Sequence, residues 1–349
     1  MNTEALQIDF PVPARSTSII NSADPGSFFA GLPERTVFIT DRRVNHLYGR
    51  LLPSTCPRLV LPPGEKSKTH KTVMRLYRGL VRRRIDRSYH LVGFGGGVVC
   101  DTAAFVAATY MRGIPCGLVP TTLLSQVDAA HGGKNGVNFI GFKNLIGTIR
   151  QPTFVLISPV FLKTLSNRDL ACGFSELIKT AAVADAELFS FLEKEQCSLK
   201  RLEKEALTRA VMTAVGVKTD LVKKDEFEKG IRKTLNFGHT LGHALERSIR
   251  MEHGAAVAVG MAAAAEISEH LGLLSANEKE RLLNVLSAFD LPLRINSTPA
   301  GLFRALRADK KKSGSLIDLI LLRKIGRAEI VSLDRRQVEQ YYHDLHLLR

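Results

Sequence analysis

The sequence predicts an α/β N-terminal domain over residues 1–160 followed by a mainly α-helical C-terminal domain over residues 161–349, and three observations carry that expectation. Short apolar runs at 37–40, 59–61, 90–94, 116–119 and 154–157, most bounded by Gly, Pro or Asp, alternate with amphipathic stretches at 71–84 and 102–111. That alternation is the pattern of a largely parallel sheet with helical crossovers. After Pro159, apolar residues recur at spacings of three and four through 170–183, 207–222, 242–249, 257–271 and 278–286, with one late strand-like segment at 316–322. Finally, no internal repeat or low-complexity linker separates the halves, so 349 residues read as two domains packed around a shared cleft, where small-molecule sites tend to lie.

Composition narrows the function classes. With 45% hydrophobic and 24% charged residues the chain is of ordinary globular type. The Ala-rich stretch 255–265 ends at Glu266, short of the roughly 20 apolar residues a bilayer crossing needs, so no membrane role is expected. Acids at Glu4 and Asp9 and no cationic lead into an apolar segment argue against a signal peptide, and a cytoplasmic location follows as the expectation. Five scattered cysteines without a C-x-x-C pair read as buried thiols, not as a disulfide framework or a thiolate zinc site. The formal charge of +15, from 49 basic and 34 acidic residues, would attract polyanions or focus a small anionic substrate into a cleft. Trp is absent and no nucleic-acid motif accompanies the charge, which favours the anionic small molecule and no nucleic acid. The Arg82-Arg83-Arg84 run with Arg87 reads as the solvated end of a helix.

Three constellations could carry chemistry. The first, at 91–101, is an apolar strand feeding Gly95-Gly96-Gly97 and then a helix with Asp101 in its first turns. Glycines let the backbone turn sharply and approach a phosphate, although Val98 breaks the strict G-x-G-x-x-G spacing and a plain strand–helix turn fits the residues equally. The second is a polar strip between Tyr110 and Gly147, with Arg112-Gly113, Thr121-Thr122, Asp128, Gly132-Gly133-Lys134 and Lys143-Asn144 on expected loops. It suits orientation of a phosphorylated substrate, and solvated loops are the plainer reading. Without Ser or Thr after Lys134 it is not a P-loop. The third is His239 and His243, about 40° apart on one helix face, with His253 ten residues on. Three of ten histidines within 15 residues suggest a metal or catalytic cluster. Glu176 is an attractive carboxylate ligand, while Lys179 three residues later equally suits a surface ion pair.

Taken in order, Pro63-Gly64-Glu65-Lys66-Ser67-Lys68, the glycine loop with Asp101, 107–113, 120–128, 132–138, Lys143-Asn144, 176–179, 236–246 and His253-Gly254 resemble the 3-dehydroquinate synthases, a branch of the sugar phosphate cyclases. The resemblance covers most of the chain. It implies a nucleotide-binding α/β domain and a metal-binding helical domain in a homodimer that uses catalytic NAD and one divalent metal, zinc or cobalt. It implies Glu176, His239 and His253 as metal ligands. Asp41, Glu65, Lys68, Gly95, Gly96, Gly97, Asp101, Thr121 and Thr122 are implied at NAD. Asp128, Lys134, Lys143, Asn144, Lys179, Lys218, Arg232, Asn236, His243 and one of Lys310 or Lys311 are implied at the substrate, with Lys134 and Lys143 also near the cofactor. Arg112 is implied to act across the dimer interface. The implied reaction turns 3-deoxy-D-arabino-heptulosonate 7-phosphate into 3-dehydroquinate and phosphate by transient oxidation, phosphate elimination, re-reduction and an intramolecular aldol closure. The alternatives to that reaction are another sugar phosphate cyclase, such as an aminodehydroquinate-forming relative, or a metal-dependent polyol dehydrogenase. The chain departs from the usual pattern at Cys100, Ala104, His131, Asn135 and Ala255, the last expected to remove a partner of the metal-binding histidine.

Overall fold

A computed structural model describes residues 16–295, 302 and 316–344; residues 1–10 and Lys310, Lys311 and Lys312, on which expectations fall, lie outside them. The first half is built on β1 (Ser18–Asn21), β2 (Thr36–Asp41), β3 (Arg58–Leu61), β4 (His90–Gly95), β5 (Cys116–Pro120) and, after a hairpin of β6 (Lys134–Phe139) and β7 (Phe142–Ile149), β8 (Phe154–Ile157). The hairpin stands apart; the other six form one parallel sheet in the order β1-β8-β5-β4-β2-β3. β4, β5 and β8 are almost wholly buried, as a sheet covered on both faces requires.

Helices α1 (Pro25–Ala30), α2 (Arg42–Tyr48), α3 (His70–Arg82) and α4 (Gly97–Thr109) cross between strands. α3 turns Val73, Leu76 and Leu80 into the core and ends where the arginine run begins. The order has a direct consequence for function. β2 leads to β3 on one side, whereas β4 leads through α4 to β5 on the other, so the carboxyl ends of β2 and β4 flank a switch in strand order, where ligands of open α/β sheets bind.

Past a helical turn at Pro159–Thr164 the chain runs through α5 (Asn167–Ala184), α6 (Ala186–Lys194), α7 (Gln196–Lys200), α8 (Lys204–Lys224), α9 (His239–Ile249), α10 (His253–His270) and α11 (Ala276–Ala288). A second hairpin, β9 (Leu316–Lys324) with β10 (Arg327–Asp334), and a last helix at Arg335–Asp344 complete the described residues. α5 is buried along most of its length, and one apolar cluster runs from Val99 and Leu123 through Leu177 to Phe237 and Met261. Among the described residues no helix is long and apolar enough to cross a membrane.

The expected strands and helices are present; α1, α2, α6, α7 and the last helix have no counterpart among the expected helices, and three further differences follow. α4 starts five residues before the apolar periodicity suggests, directly on the glycine loop. β1 and β10 have no counterpart among the expected strands. The segments around Lys134 and Lys143-Asn144 are not loops but the β6–β7 hairpin, turned at Ile140 and Gly141, both with positive φ. Gly136 and Gly147, which look like loop residues, are needed because a Cβ on either would meet the facing backbone at 2.5 and 2.1 Å.

Candidate active site

β4 delivers Gly95 and Gly96 to the switch point, and β2 delivers Asp41, whose carboxylate caps α2 by accepting from the Val44 N–H at 2.9 Å. Gly96 precedes α4 without a side-chain cap, leaving the helix start open to an anion. A Cβ on Gly96 would stand 3.0 Å from the Thr122 methyl and one on Gly95 2.6 Å from Val99, so side chains here would fill the cradle. Thr121 donates its N–H to the Gly95 carbonyl at 2.9 Å, joining the loop to the end of β5. Lys68, buried, bonds both Asp101 on α4 and Asn144 on β7, while Glu65 accepts from Asn138 at 2.7 Å. The residues expected at the dinucleotide therefore gather along one edge of the crevice, and the open cradle fits a pyrophosphate.

The metal-ligand expectation converges from three helices. Glu176 lies mid-way along α5, His239 opens α9 and His253 opens α10, and their ligand atoms all lie within 4.8 Å of one another. Glu176 Oε1 is 3.1 Å from His253 Nε2 and 3.7 Å from His239 Nε2. Both rings turn their other nitrogen away: His239 Nδ1 faces the Phe237 carbonyl at 3.1 Å and His253 Nδ1 faces Glu246 Oε1 at 2.5 Å. One carboxylate and two imidazoles are a donor set suited to zinc or cobalt, so these residues fit a divalent cation. Burial alone would raise the Glu176 carboxyl, but the Lys179 ammonium, the His253 hydrogen bond and His239 outweigh it and hold the group well below the usual carboxylate range. Burial, helped by Lys179, drives His239 down to about 3, which keeps its ring neutral as a ligand must be. For His253 burial would lower the pKa, and the hydrogen bonds to Glu176 and Glu246 instead push it up to about 10, so a cation taking its Nε2 must displace a proton there.

Glu176 and Lys179 are not a surface pair: both side chains are buried and in contact. From Lys179 the contacts continue into a pocket of cations. Lys179 Nζ is 3.9 Å from Asp128 Oδ1, and Lys218 Nζ bonds the same oxygen at 2.5 Å. Burial would raise Asp128, yet Lys218 and Lys179 bring it down to about 2. Burial lowers both Lys218 and Arg232 despite the nearby acids. Arg232 is buried with its guanidinium on the Glu226 and Gly132 carbonyls at 2.5 and 3.1 Å. Lys134 pairs with Glu228, which also accepts from Asn236 at 2.7 Å. His243 stands one turn beyond His239 on α9, ring centroids 5.1 Å apart.

Two residues that matter here escaped the sequence reading. Glu228 holds Lys134 and Asn236 from a loop folded around Asp225, whose carboxylate takes the N–H groups of Lys229, Gly230 and Arg232. Glu246 contacts His253 and Lys143 at once, at 2.5 and 2.8 Å; its spacing of three from His243 and seven from His239 could have placed it on the same helix face. The carboxylate partner of His253 in this structure comes from α9, not from position 255, where Ala255 has no polar side chain. His131 and Asn135 have local explanations: His131 is buried against the Gln126 carbonyl, and Asn135 spans the hairpin between Gly133 and Thr148. Cys100 is buried with its thiol donating to the Gly95 carbonyl at 3.4 Å. Arg112 is not brought in with these groups. It follows the far end of α4, about 20 Å along that helix from the glycine loop, and its exposed side chain has no hydrogen bond or ion pair among the described residues.

Family models for the 3-dehydroquinate synthase N-terminal and C-terminal domains match residues 58–172 and 173–312. A curated 3-dehydroquinate synthase from Enterococcus faecalis is 40% identical over 323 residues, 88% of this chain and 89% of its own length. One from Dehalococcoides mccartyi is also 40% identical, over 85% of this chain and 86% of its own. Among solved structures, 2-epi-5-epi-valiolone synthase from Streptomyces hygroscopicus with NAD+ and Zn2+ bound superposes with a TM-score of 0.88 at 28% identity, covering 98% of this chain and 99% of that one. A 2-deoxy-scyllo-inosose synthase complexed with carbaglucose-6-phosphate, NAD+ and Co2+ gives 0.83 at 25% identity, over 93% and 95%. A probable glycerol dehydrogenase from Sinorhizobium meliloti, with a TM-score of 0.61 at 16% identity over 96% and 98%, shares the fold alone. With family models spanning both halves and curated relatives at 40% identity over most of its length, the chain belongs to the 3-dehydroquinate synthase family.

Proposed function

We propose that this chain is a 3-dehydroquinate synthase, a phosphorus–oxygen lyase that converts 3-deoxy-D-arabino-heptulosonate 7-phosphate into 3-dehydroquinate and phosphate. The observation that carries this reading is an unbroken line of contacts, His253–Glu176–Lys179–Asp128–Lys218, which puts the metal-ligand set one side chain away from buried cations. A substrate with hydroxyls at one end and two anionic groups matches both parts of that line.

Glu176, His239 and His253 would hold the cation, zinc or cobalt as in the two solved cyclases, and Asp41, Lys68, the glycine loop, Asp101, Thr121 and Thr122 would hold NAD+. When bound, NAD+ supplies a reversible two-electron oxidation and the cation a Lewis-acid charge for a substrate oxygen. The chain's own residues do the rest. Lys134, Lys143, Lys179, Lys218 and Arg232 offset the phosphate and carboxylate charges, and Asn144 and Asn236 orient the substrate by hydrogen bonds. Asp128 keeps Lys218 and Lys179 in place while they do so. The His243 ring, beside His239, would take and return protons at its imidazole nitrogen during elimination and ring closure. Because the cofactor is restored, phosphate release and carbocycle formation are the net chemistry.

The active form would be a cytoplasmic homodimer, with Arg112 of one subunit serving the other's site. Arg112's separation from its own glycine loop supports the second point, and free thiols at all five cysteines fit a reducing compartment. The test is incubation of the protein with the heptulosonate phosphate, NAD+ and Zn2+ and identification of the product by NMR. The carbocyclic 3-dehydroquinate is expected; unchanged substrate, or a product without the carboxylate-bearing ring, would overturn the assignment.

A further inference from the structure

Glu246 lies inside the protein, its side chain only 5% exposed, and its two oxygens are both engaged. Oε1 is 2.5 Å from His253 Nδ1 and Oε2 is 2.8 Å from Lys143 Nζ. A neutral imidazole carries one N–H, and the nitrogen that carries it cannot ligate a metal. An acceptor fixed at Nδ1 therefore decides which nitrogen is left for the cation, and here Nε2 is left facing Glu176 at 3.1 Å and the neighbouring His239. The side chain of His253 is 31% exposed at the very start of α10, so the partners of its two ring nitrogens matter for its orientation. The nearby Ala255 has no polar group to serve as one. Lys143, reaching over from β7, takes the second Glu246 oxygen and leaves the carboxylate a single orientation.

We propose that Glu246 is a positioning residue of the metal site, holding the His253 ring with Nδ1 protonated and Nε2 directed at the cation, with Lys143 as its anchor. This rests on the reading that Glu176, His239 and His253 bind a divalent metal. α9 thereby supplies one ligand, His239, and the support for the ligand at the head of the next helix.

The experiment measures the Zn2+ dissociation constant of the metal-free protein by competition with a chromophoric chelator, for wild type, Glu246→Gln and Glu246→Ala, together with thermal unfolding of each metal-free protein. Glu246→Ala should weaken Zn2+ binding by about 10–100-fold. Glu246→Gln should fall between, because its amide oxygen still accepts from Nδ1–H but carries no charge. The near-isosteric Gln variant decides the matter if the Ala variant does not fold. Equal Zn2+ affinities, with only the unfolding midpoint lowered, would mean that Glu246 merely holds Lys143 and the fold, which overturns the proposal and leaves the metal site intact. Absence of Zn2+ binding by the wild type would instead overturn the metal reading itself.

Discussion

Asp128 would be costly to bury without partners, and its two lysines reverse the sign of that cost. Its carboxyl falls from an ordinary 3.8 to about 2, which corresponds to ~2 kcal/mol of native-state stability. Because the folded value is the lower one, that contribution is complete above about pH 4, where the unfolded carboxyl is ionised, and disappears as the pH drops through about 2. Urea unfolding of wild type and Asp128→Asn should differ by ~2 kcal/mol near neutral pH and converge in acid; a gap unchanged between pH 7 and pH 2 would contradict this origin. Lys179, Lys218 and Arg232 were legible in the sequence only through resemblance, and Glu176 only as a candidate ligand beside an equally fitting surface pair, since acids and bases three apart on a helix are more often solvated. Their burial depends on α5 passing through the middle of the molecule, which no local pattern encodes. Glu228 was not legible for a different reason: its contact with Lys134 joins residues 94 positions apart through a loop with positive φ at Glu228 itself.

At the scale of elements, α10 is shaped by its small residues. A Cβ on Gly254 would stand 2.3 Å from the Cys172 Cα, and one on Gly260 1.9 Å from the Gly238 carbonyl oxygen. The first glycine lets the head of α10, with His253, close on α5; the second lets the same helix close on the turn that launches His239. Gly260→Ala should therefore cost about 1–3 kcal/mol by overpacking and lower the retained zinc, despite alanine's better helix propensity. Urea unfolding and the zinc content after dialysis check both effects, and an unchanged midpoint with full zinc would contradict the role. Seven helices were readable from their apolar spacing, whereas α1, α2, α6, α7 and the last helix were not. The β6–β7 hairpin was not, because Gly136, Gly141 and Gly147 carry turn signals while two of them serve close strand approach.

Over the whole molecule, sheet order places the crevice proposed for the dinucleotide, and α5, α9 and α10 bring the proposed metal ligands toward it, with the cations of α5 and α8 beside them. Lys143 on the hairpin reaches Glu246 on α9, and Gln151 reaches Glu226 at 3.0 Å, so the halves meet through polar contacts at the site as well as through the apolar core. Arg112 alone among the expected site residues in the described part stands apart, which suits action in a second subunit. Mixing inactive Arg112→Ala with inactive Lys134→Ala should restore about a quarter of wild-type activity if subunits exchange at random, since about half of the dimers would be heterodimers and one of the two sites in each would be intact. No recovery despite demonstrated exchange would place Arg112 outside the neighbouring site.

The proposed cyclase and a polyol dehydrogenase would both move a hydride onto NAD+, which makes the fate of the cofactor the sharpest discriminator. Lys179 and Lys218 share the Asp128 carboxylate beside the buried Arg232, an arrangement that suits an anionic substrate better than an uncharged polyol. The decisive measurement follows phosphate release and absorbance at the NADH band together, with the heptulosonate phosphate in large excess over NAD+. Many phosphates released per NAD+, with no net growth of NADH, is the predicted result. Stoichiometric NADH from a simple polyol, with no phosphate released from the heptulosonate phosphate, would contradict it.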